Sequence, residues 1–543
     1  MKWAVAKFFT VFKRGSRKIV NNYRGISVIN GIAKLYDMVL CDRLQLWFSP
    51  FREQAGCQTG RGCTEHIVTL RLLTDLARRK KMKLFVTFVD FSQAYDKVPR
   101  FKLFTVLKAL GCGATMLFAL IAMYKVTNSI IGTALISATI GVRQGSPTSC
   151  FLFTLFVNDM IKLIKQSCNV DGFLGWLHVL VLMDDTVLLA TTRQSMIRKI
   201  ELLSQFCHSH GMRINVSKTK FFVICGSVID ERPIVVNDLV IEPCRMYVYL
   251  GSTFTSDGSI SNAIKVHSQS KICHVMKFIS FLSKNNDIPF YVKRKVFDAA
   301  LMSTILYGCE SWVGGNLKPI TKLYHWCIKQ LLGVRKSTCN DLCLAELGYP
   351  SLEALVKAKQ RKFFSKMWED RSAMRDDPLI HAISIVRNYN TPIKRTVNGF
   401  ISDDIDDIQL DIDRIKETVR TSASSRMLFY RLINPDCNVY KIYNDKNVKV
   451  NEIERICWTR MRLSAHSLAI ESGRWNRRGR GRLPVEERLC TCGLVQSEQH
   501  VIEICPRTAQ LRARYNFSTV TDIFSMPDNE VMCRIIHKIL SEY

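Results

Sequence analysis

Three carboxylates stand where the chain could bring them together. Asp90 ends the apolar run Leu84–Val89, and Asp184-Asp185 separates two further apolar runs, Val179–Met183 and Thr186–Ala190. Mg²⁺ prefers hard oxygen ligands and also binds substrate phosphates. Carboxylates around two such ions, about 3.5–4 Å apart, can serve an attacking and a leaving oxygen. Taken alone, an Asp-Asp pair reads more readily as an ordinary turn. A second cluster lies near the C-terminus: Cys490-Thr-Cys492, His500 and Cys505, spaced C-x-C-x7-H-x4-C. Thiolates and imidazole are the donors of tetrahedral Zn²⁺, and four of them close the shell into a structural site. Buried free cysteines are the competing account of that spacing.

The elements that must hold these residues follow from pattern. Leu84–Val89 has the continuous apolar character of a buried strand. The runs flanking Asp184-Asp185 predict a hairpin with the acidic pair at its turn. Residues 1–256 alternate short apolar runs with helical patterns, as a mixed α/β domain does. Residues 257–345 are expected to be helical, with Val292, Val296 and Ala299 on one apolar stripe and Lys293, Arg294 and Lys295 on basic faces. A helical connector is expected over 346–470, where Asp403, Asp404, Asp406, Asp407, Asp411 and Asp413 read as a solvated acidic face. Residues 471–515 form a basic, metal-binding element and 516–543 a C-terminal tail.

The surrounding motifs add a resemblance. Phe88-Val-Asp-Phe-Ser-Gln-Ala-Tyr-Asp-Lys-Val-Pro99, Gly141-Val-Arg-Gln-Gly-Ser-Pro-Thr-Ser149 and Leu182-Met-Asp-Asp185 resemble the catalytic motifs of reverse transcriptases, in their order. Phe12-Lys-Arg-Gly15 and Asn22-Tyr-Arg-Gly-Ile-Ser27 resemble the fingers motifs of the non-LTR, LINE-type retrotransposon enzymes. Gly211-Met-Arg-Ile-Asn-Val-Ser-Lys218 and Tyr249-Leu-Gly251 resemble the motifs that close the palm. Leu306-Tyr-Gly-Cys-Glu-Ser-Trp312 also looks like the family, and the Cys/His segment is similar to its C-terminal CCHC element. The implied fold is a right-hand polymerase of α/β (α+β) class: fingers and palm, helical thumb, helical connector and a zinc-knuckle-like element. The implied activity is RNA-directed DNA synthesis with two Mg²⁺, using an RNA template, a DNA primer or nicked target DNA, and deoxynucleoside triphosphates. The alternative is a nucleic-acid-binding remnant of such an element whose catalysis has decayed.

By this resemblance Asp90, Asp184 and Asp185 carry the metals, assisted by the Phe91 carbonyl. Arg24, with Lys13 or Arg14, holds the triphosphate, since a guanidinium fork matches phosphate oxygens; Lys13 and Arg14 also read as a basic surface run. Tyr95 lies under the sugar and excludes a 2′-hydroxyl, or is a core aromatic. Gln144 and Gly145 line the nucleotide pocket, Gly145 because backbone must approach closely. Lys218 protonates pyrophosphate or faces solvent. Leu182, Tyr249, Leu250 and Gly251 support the primer end, the last three reading otherwise as a strand-turn. The family has an aromatic residue where Leu182 stands, and telomerase-like enzymes are similar in accepting Leu. Related elements carry an endonuclease and further N-terminal polymerase sequence, so the resemblance implies an N-terminally truncated form.

Bulk properties agree with a nucleic-acid partner. The 543 residues are too many for one core. Lys and Arg number 77 against 47 Asp and Glu, a net charge of +30 that suits a polyanion. Arg474, Arg477, Arg478, Arg480 and Arg482 interleave with Trp475, a stretch suited to phosphates and a stacked base, or to a solvated linker. No apolar run reaches the ~20 residues of a spanning helix. Lys7 interrupts the apolar opening, which excludes a signal peptide. Twenty scattered cysteines then suggest reduced thiols in the nucleus or cytoplasm.

Overall fold

The computed structural model describes residues 5–13, 15–125, 127–131, 133–143, 145–474 and 482–543. They divide into two compact units. The first comprises residues 1–263, 310–314 and 364–401; the second comprises 264–309, 315–363 and 402–543.

The first unit is mixed α/β. Its central sheet has six strands: β3 (Leu84–Val89), β6 (Val179–Leu182), β7 (Asp185–Ala190), β8 (Lys220–Ile224), β9 (Ile234–Val236) and β10 (Leu239–Pro243), in the order β6-β7-β3-β8-β10-β9. Every residue of β3 is buried, which explains its unbroken apolar run. A second sheet, β2-β1-β4-β5, joins β1 (Val5–Phe12), β2 (Tyr23–Val28), β4 (Asn128–Ile131) and β5 (Ala134–Ser137). A separate hairpin consists of β11 (Met246–Tyr249) and β12 (Ser252–Thr255).

The core lies between the six-stranded sheet and its helices. Helix α5 (Pro147–Ser167) packs against α1 (Gly31–Trp47), α3 (Arg100–Ala109) and α6 (Arg193–His210), and α4 (Ala114–Lys125) packs on α3. Among the described residues α5 is the one helix long and apolar enough to cross a membrane, yet 72% of its most apolar window is buried inside the protein. Helix α2 (Cys63–Lys80) is buried almost all round and carries charge inward. Asp75 pairs with Arg78 and Arg79 at 2.9 and 2.5 Å, and Arg71 donates to the Thr253 carbonyl at 2.6 Å. Helix Pro378–Asn388 packs on α2. Arg371, just before it, holds Glu65 at 2.8 Å. Residues 364–401 thus belong to the first unit, and the stretch 346–470 expected as one connector is shared between the two units.

The second unit is helical apart from its Cys/His segment. Buried Glu346 and Arg462 pair at 2.6 Å, and the hydroxyls of Tyr430 and Tyr443 donate to the same carboxylate at 2.7 and 3.0 Å. The expected stripe Val292–Val296–Ala299 is corrected: Val292 and Ala299 are exposed, whereas Phe290, Lys293 and Phe297 point inward. Lys293 goes inside because Glu452 meets its ammonium at 3.1 Å. A buried cation is tolerated only with such a partner. The acidic stretch is also more than a solvated face. Asp406 caps helix Asp407–Thr421, Asp407 pairs with Arg361 at 2.8 Å, and Asp411 accepts the Ser351 N–H at 2.6 Å. Residues 516–543 form a packed part of this unit: helix Asn529–Ser541 buries Met532, Cys533, Ile535, Ile536 and Ile539, and lies on helix Glu452–Arg462.

Candidate active site

Strands β3 and β7 run antiparallel, and their last paired residues are Val89 and Thr186. One further step in that register sets Asp90 opposite Asp185. Asp184 stands next to Asp185 in the two-residue loop, Met183-Asp184, that joins β6 to β7. Asp185 is therefore the first residue of β7, one position beyond the expected turn. Met183 has a φ of +60°, unusual for a residue with a Cβ.

The three carboxylates feel one another. Partial desolvation, then the charges of Asp184 and Asp90, push Asp185 up to about 6. Asp90 Oδ2 is buried without a hydrogen bond, and its nearest cation is the Lys218 ammonium at 3.4 Å. The loop bearing Lys218 is held along the end of β3: Asn215 N–H donates to the Asp90 carbonyl at 2.7 Å, and Ser92 N–H to that of Arg213 at 2.8 Å. Phe91 is buried and bridged to Ile214. The aspartates do not meet the spacing of a single closed shell. Among the described residues, only the Cys/His group has its ligand atoms all within 4.8 Å of one another. Crowded carboxylates with an unbonded buried oxygen fit hard divalent cations lodged between them.

Tyr95 stacks on Phe153 of α5, ring centroids 4.4 Å apart, and is half-buried. Burial, then Cys150 and Asp184, hold its hydroxyl protonated far above the usual range. Gly145 has a φ of +106°, and a Cβ there would meet the Ser27 carbonyl of β2 at 2.3 Å. The backbone approaching this glycine is thus the protein's own. Lys13 is exposed beyond β1. Arg14, Gln144, Trp475, Arg477, Arg478, Arg480 and the side chain of Arg24 lie outside the described residues.

Leu250 and Gly251 form the two-residue loop of the β11–β12 hairpin, both with positive φ, +48° and +77°. That is the twist-matched hairpin turn. Tyr249 is buried against Phe88 and Phe254, while Met246 and Val248 face out. Tyr247, which the sequence reading passed over, stacks on Phe88 at 4.1 Å and 6°. Phe88 and Asp90 share one face of β3. Burial, then Asp90 and Asp185, push the Tyr247 hydroxyl up to about 12. The alternation Tyr247–Tyr249 was the signal available for it. Leu182, half-buried, ends β6 opposite Asp185.

In the second unit the four zinc candidates converge. Cys490 Sγ lies 3.8 Å from Cys505 Sγ, and Cys492 Sγ lies 3.2 Å from His500 Nε2. A tetrahedron with Zn–S bonds near 2.3 Å has S···S edges of about 3.8 Å. The turn is built by Gly493, φ +91°, whose N–H donates to the Cys490 carbonyl. Burial raises the Cys490 thiol, but the Cys492 backbone, His500 and the other two thiols outweigh it and bring it down to about 6. A thiol that ionises easily is a ready metal ligand. Glu498 anchors the element through Ser464 and His466, both at 2.9 Å.

Residues 12–254 match the family described as reverse transcriptase (RNA-dependent DNA polymerase). This segment, somewhat under half of the chain, is similar to that family. The Pol polyprotein of a type-1 retrotransposable element R2 from Popillia japonica is 22% identical over 363 residues, 64% of this chain and 50% of that protein. The probable RNA-directed DNA polymerase of transposon BS from Drosophila melanogaster is 22% identical over 57% of this chain and 36% of its own. The chain therefore spans half or less of the length of these relatives. Among solved structures, telomerase from Candida albicans in complex with a telomeric RNA fragment aligns at a TM-score of 0.35 and 14% identity, over 75% of this chain and 65% of that one. Within the matched segment lie all three aspartates, Tyr95, Lys218 and Tyr249–Gly251.

Proposed function

We propose that the chain is an RNA-directed DNA polymerase of a non-LTR retrotransposon, extending a DNA primer on an RNA template. The observation that carries this is the register of β3 and β7, which sets Asp90 opposite Asp185 with Asp184 adjoining. Asp90, Asp184 and Asp185, with the Phe91 carbonyl, would hold two Mg²⁺. Bound there, such ions supply Lewis-acid activation of an attacking oxygen and charge stabilisation on a leaving one.

The primer 3′-hydroxyl attacks the α-phosphorus of a deoxynucleoside triphosphate. A new P–O bond forms as the hydroxyl gives up its proton to solvent, the bond to the bridging oxygen breaks, and pyrophosphate leaves. Lys218, beside Asp90, donates a proton to that pyrophosphate. Tyr95, stiffened by Phe153, fills the space under the sugar where a 2′-hydroxyl would sit. Arg24, with Lys13 or Arg14, holds the triphosphate, and Gln144 and Gly145 complete the pocket. Leu182 and the β11–β12 hairpin support the primer terminus, with Tyr249 acting from inside by fixing the hairpin. Cys490, Cys492, His500 and Cys505 hold one structural Zn²⁺. The basic surplus supplies affinity for RNA and target DNA.

The test is primer extension by the purified chain on an RNA template with Mg²⁺ and deoxynucleotides. Extension that disappears in Asp184→Asn, with template binding retained, supports the reading. A wild-type protein that binds template yet extends nothing overturns it and leaves a nucleic-acid-binding remnant.

A further inference from the structure

Gln54 lies in the segment between α1 and α2, outside every motif that pointed to catalysis, and is fully buried. Its Oε1 accepts two backbone N–H groups, from Gly56 at 2.8 Å and from Met183 at 3.0 Å. The backbone on either side of it also grips β6. Val181 N–H donates to the Glu53 carbonyl at 2.8 Å, and Ala55 N–H to the Val181 carbonyl at 2.9 Å. Gln54 and Val181 thus form a parallel bridge at the outer edge of the six-stranded sheet. Behind the loop, a Cβ on Gly56 would meet Met183 Sδ at 2.6 Å. The Met183 side chain is therefore seated against Gly56.

This clamp falls on a strained point. A residue with a Cβ at positive φ is strained and persists where its surroundings hold it. Met183 is that residue, and Asp184 follows it in the loop. The amide of Gln54 is also used one-sidedly. Two N–H donors require its oxygen at this position, and its Nε2 is left buried without a hydrogen bond. A donor stranded in this way destabilises the fold. Filling the space alone gives no reason to keep such a group; accepting the Met183 N–H does.

We propose that Gln54 is a positioning residue for nucleotidyl transfer: its side-chain carbonyl fixes the Met183-Asp184 loop so that Asp184 and Asp185 face Asp90. Asparagine is one methylene too short to reach both N–H groups. Glutamate keeps the acceptor but adds a negative charge close to three carboxylates. The inference rests on the polymerase reading of those carboxylates.

The experiment uses the full chain with Gln54→Leu, Gln54→Glu and Gly56→Ala. Two quantities are measured: backbone hydrogen exchange across residues 179–190, and the burst of primer extension on an RNA template. In Gln54→Leu, exchange at Met183 should speed up at least about tenfold. The burst rate should fall by about 10²-fold, as for a misplaced catalytic group, with burst amplitude and nucleotide KM nearly unchanged. Gly56→Ala crowds both ends of the clamp, since its Cβ would meet Met183 Sδ at 2.6 Å and Gln54 Oε1 at 2.8 Å, and it should slow the burst and speed exchange at Met183. Gln54→Glu should retain the exchange protection, with a burst rate between wild type and Gln54→Leu. Wild-type exchange at Met183 in Gln54→Leu overturns the clamp, whatever the activity. A loss confined to burst amplitude, meaning fewer folded molecules turning over at the normal rate, overturns the positioning role. Should the wild type extend no primer, the polymerase reading fails, and the exchange measurement still decides the clamp.

Discussion

The Lys218 ammonium stands 3.4 Å from Asp90 Oδ2, a buried oxygen that has no hydrogen bond. Lys218 itself is 60% exposed in its side chain, so it can leave this place at little cost. In the proposed site it would serve as a movable counter-ion to Asp90.

That relationship separates Lys218 from the aspartates. Asp90→Asn should reduce extension by about 10³-fold or more, because several kcal/mol of charge stabilisation are lost with the metal site. Lys218→Met should slow the chemical step by roughly 10²-fold, as for loss of a general acid. It should also lower the Mg²⁺ concentration giving half-maximal rate, since a competing cation is gone. Mg²⁺ titrations of single-turnover extension check both. An unchanged or higher Mg²⁺ requirement in Lys218→Met rules out the counter-ion role.

Tyr95 is braced by Phe153 at 4.4 Å. Tyr95→Val should open the space beneath the sugar. The ratio of kcat/KM for deoxy- over ribonucleotide should fall by more than about tenfold, a loss of some 1.4 kcal/mol of discrimination. Equal ratios in mutant and wild type would return Tyr95 to an ordinary core aromatic.

Leu182 sits opposite Asp185 at the end of β6. Leu182→Tyr should raise the single-turnover rate severalfold by improving primer placement, with template affinity unchanged. A well-folded mutant with no gain would show that leucine is a fully competent choice here.

The full chain, purified under reduction, should carry one Zn²⁺ at Cys490, Cys492, His500 and Cys505. Cys505→Ser should lose it and open the segment around 489–512, because the metal supplies folding free energy to a small element. Hydrogen exchange should be unaltered in β3, β6 and β7. Metal analysis finding no zinc would leave these as free thiols.

Buried Lys199 meets Asp171 at 2.5 Å beneath β7 and donates to the Leu189 carbonyl at 2.6 Å. Burial raises the Asp171 carboxyl, but Lys199, Ser195 and Thr191 outweigh it and take it down to about 2. A depressed acid stabilises the fold above its unfolded value, near 4, and that contribution disappears as pH falls towards 2. Lys199→Met, which leaves a buried carboxylate without its cation, should cost about 3 kcal/mol at neutral pH. Its stability should also change less than that of wild type between pH 4 and 2. Denaturant melts at several pH values test this; parallel curves would count against the pair.

Much of the site was legible in residue order. The strand before Asp90, the hairpin around Asp184-Asp185 and the spacing of the four converging Cys/His residues are local patterns, and local patterns report local backbone geometry. What required the fold was the choice of partners. Lys293 reads as a surface cation until Glu452 meets it inside the second unit. Residues 364–401 return to the first unit through Arg371 and Glu65, 306 positions apart. Gln54 reaches Met183 across 129 positions, and Tyr247 reaches Phe88 from another sheet. The sequence by itself determined which groups could do chemistry and which strands carry them, because a side chain's donor set and a strand's alternation are local properties. Tertiary structure alone decided which of those groups face each other and what holds them there, because burial and hydrogen bonding depend on neighbours that chain order does not name.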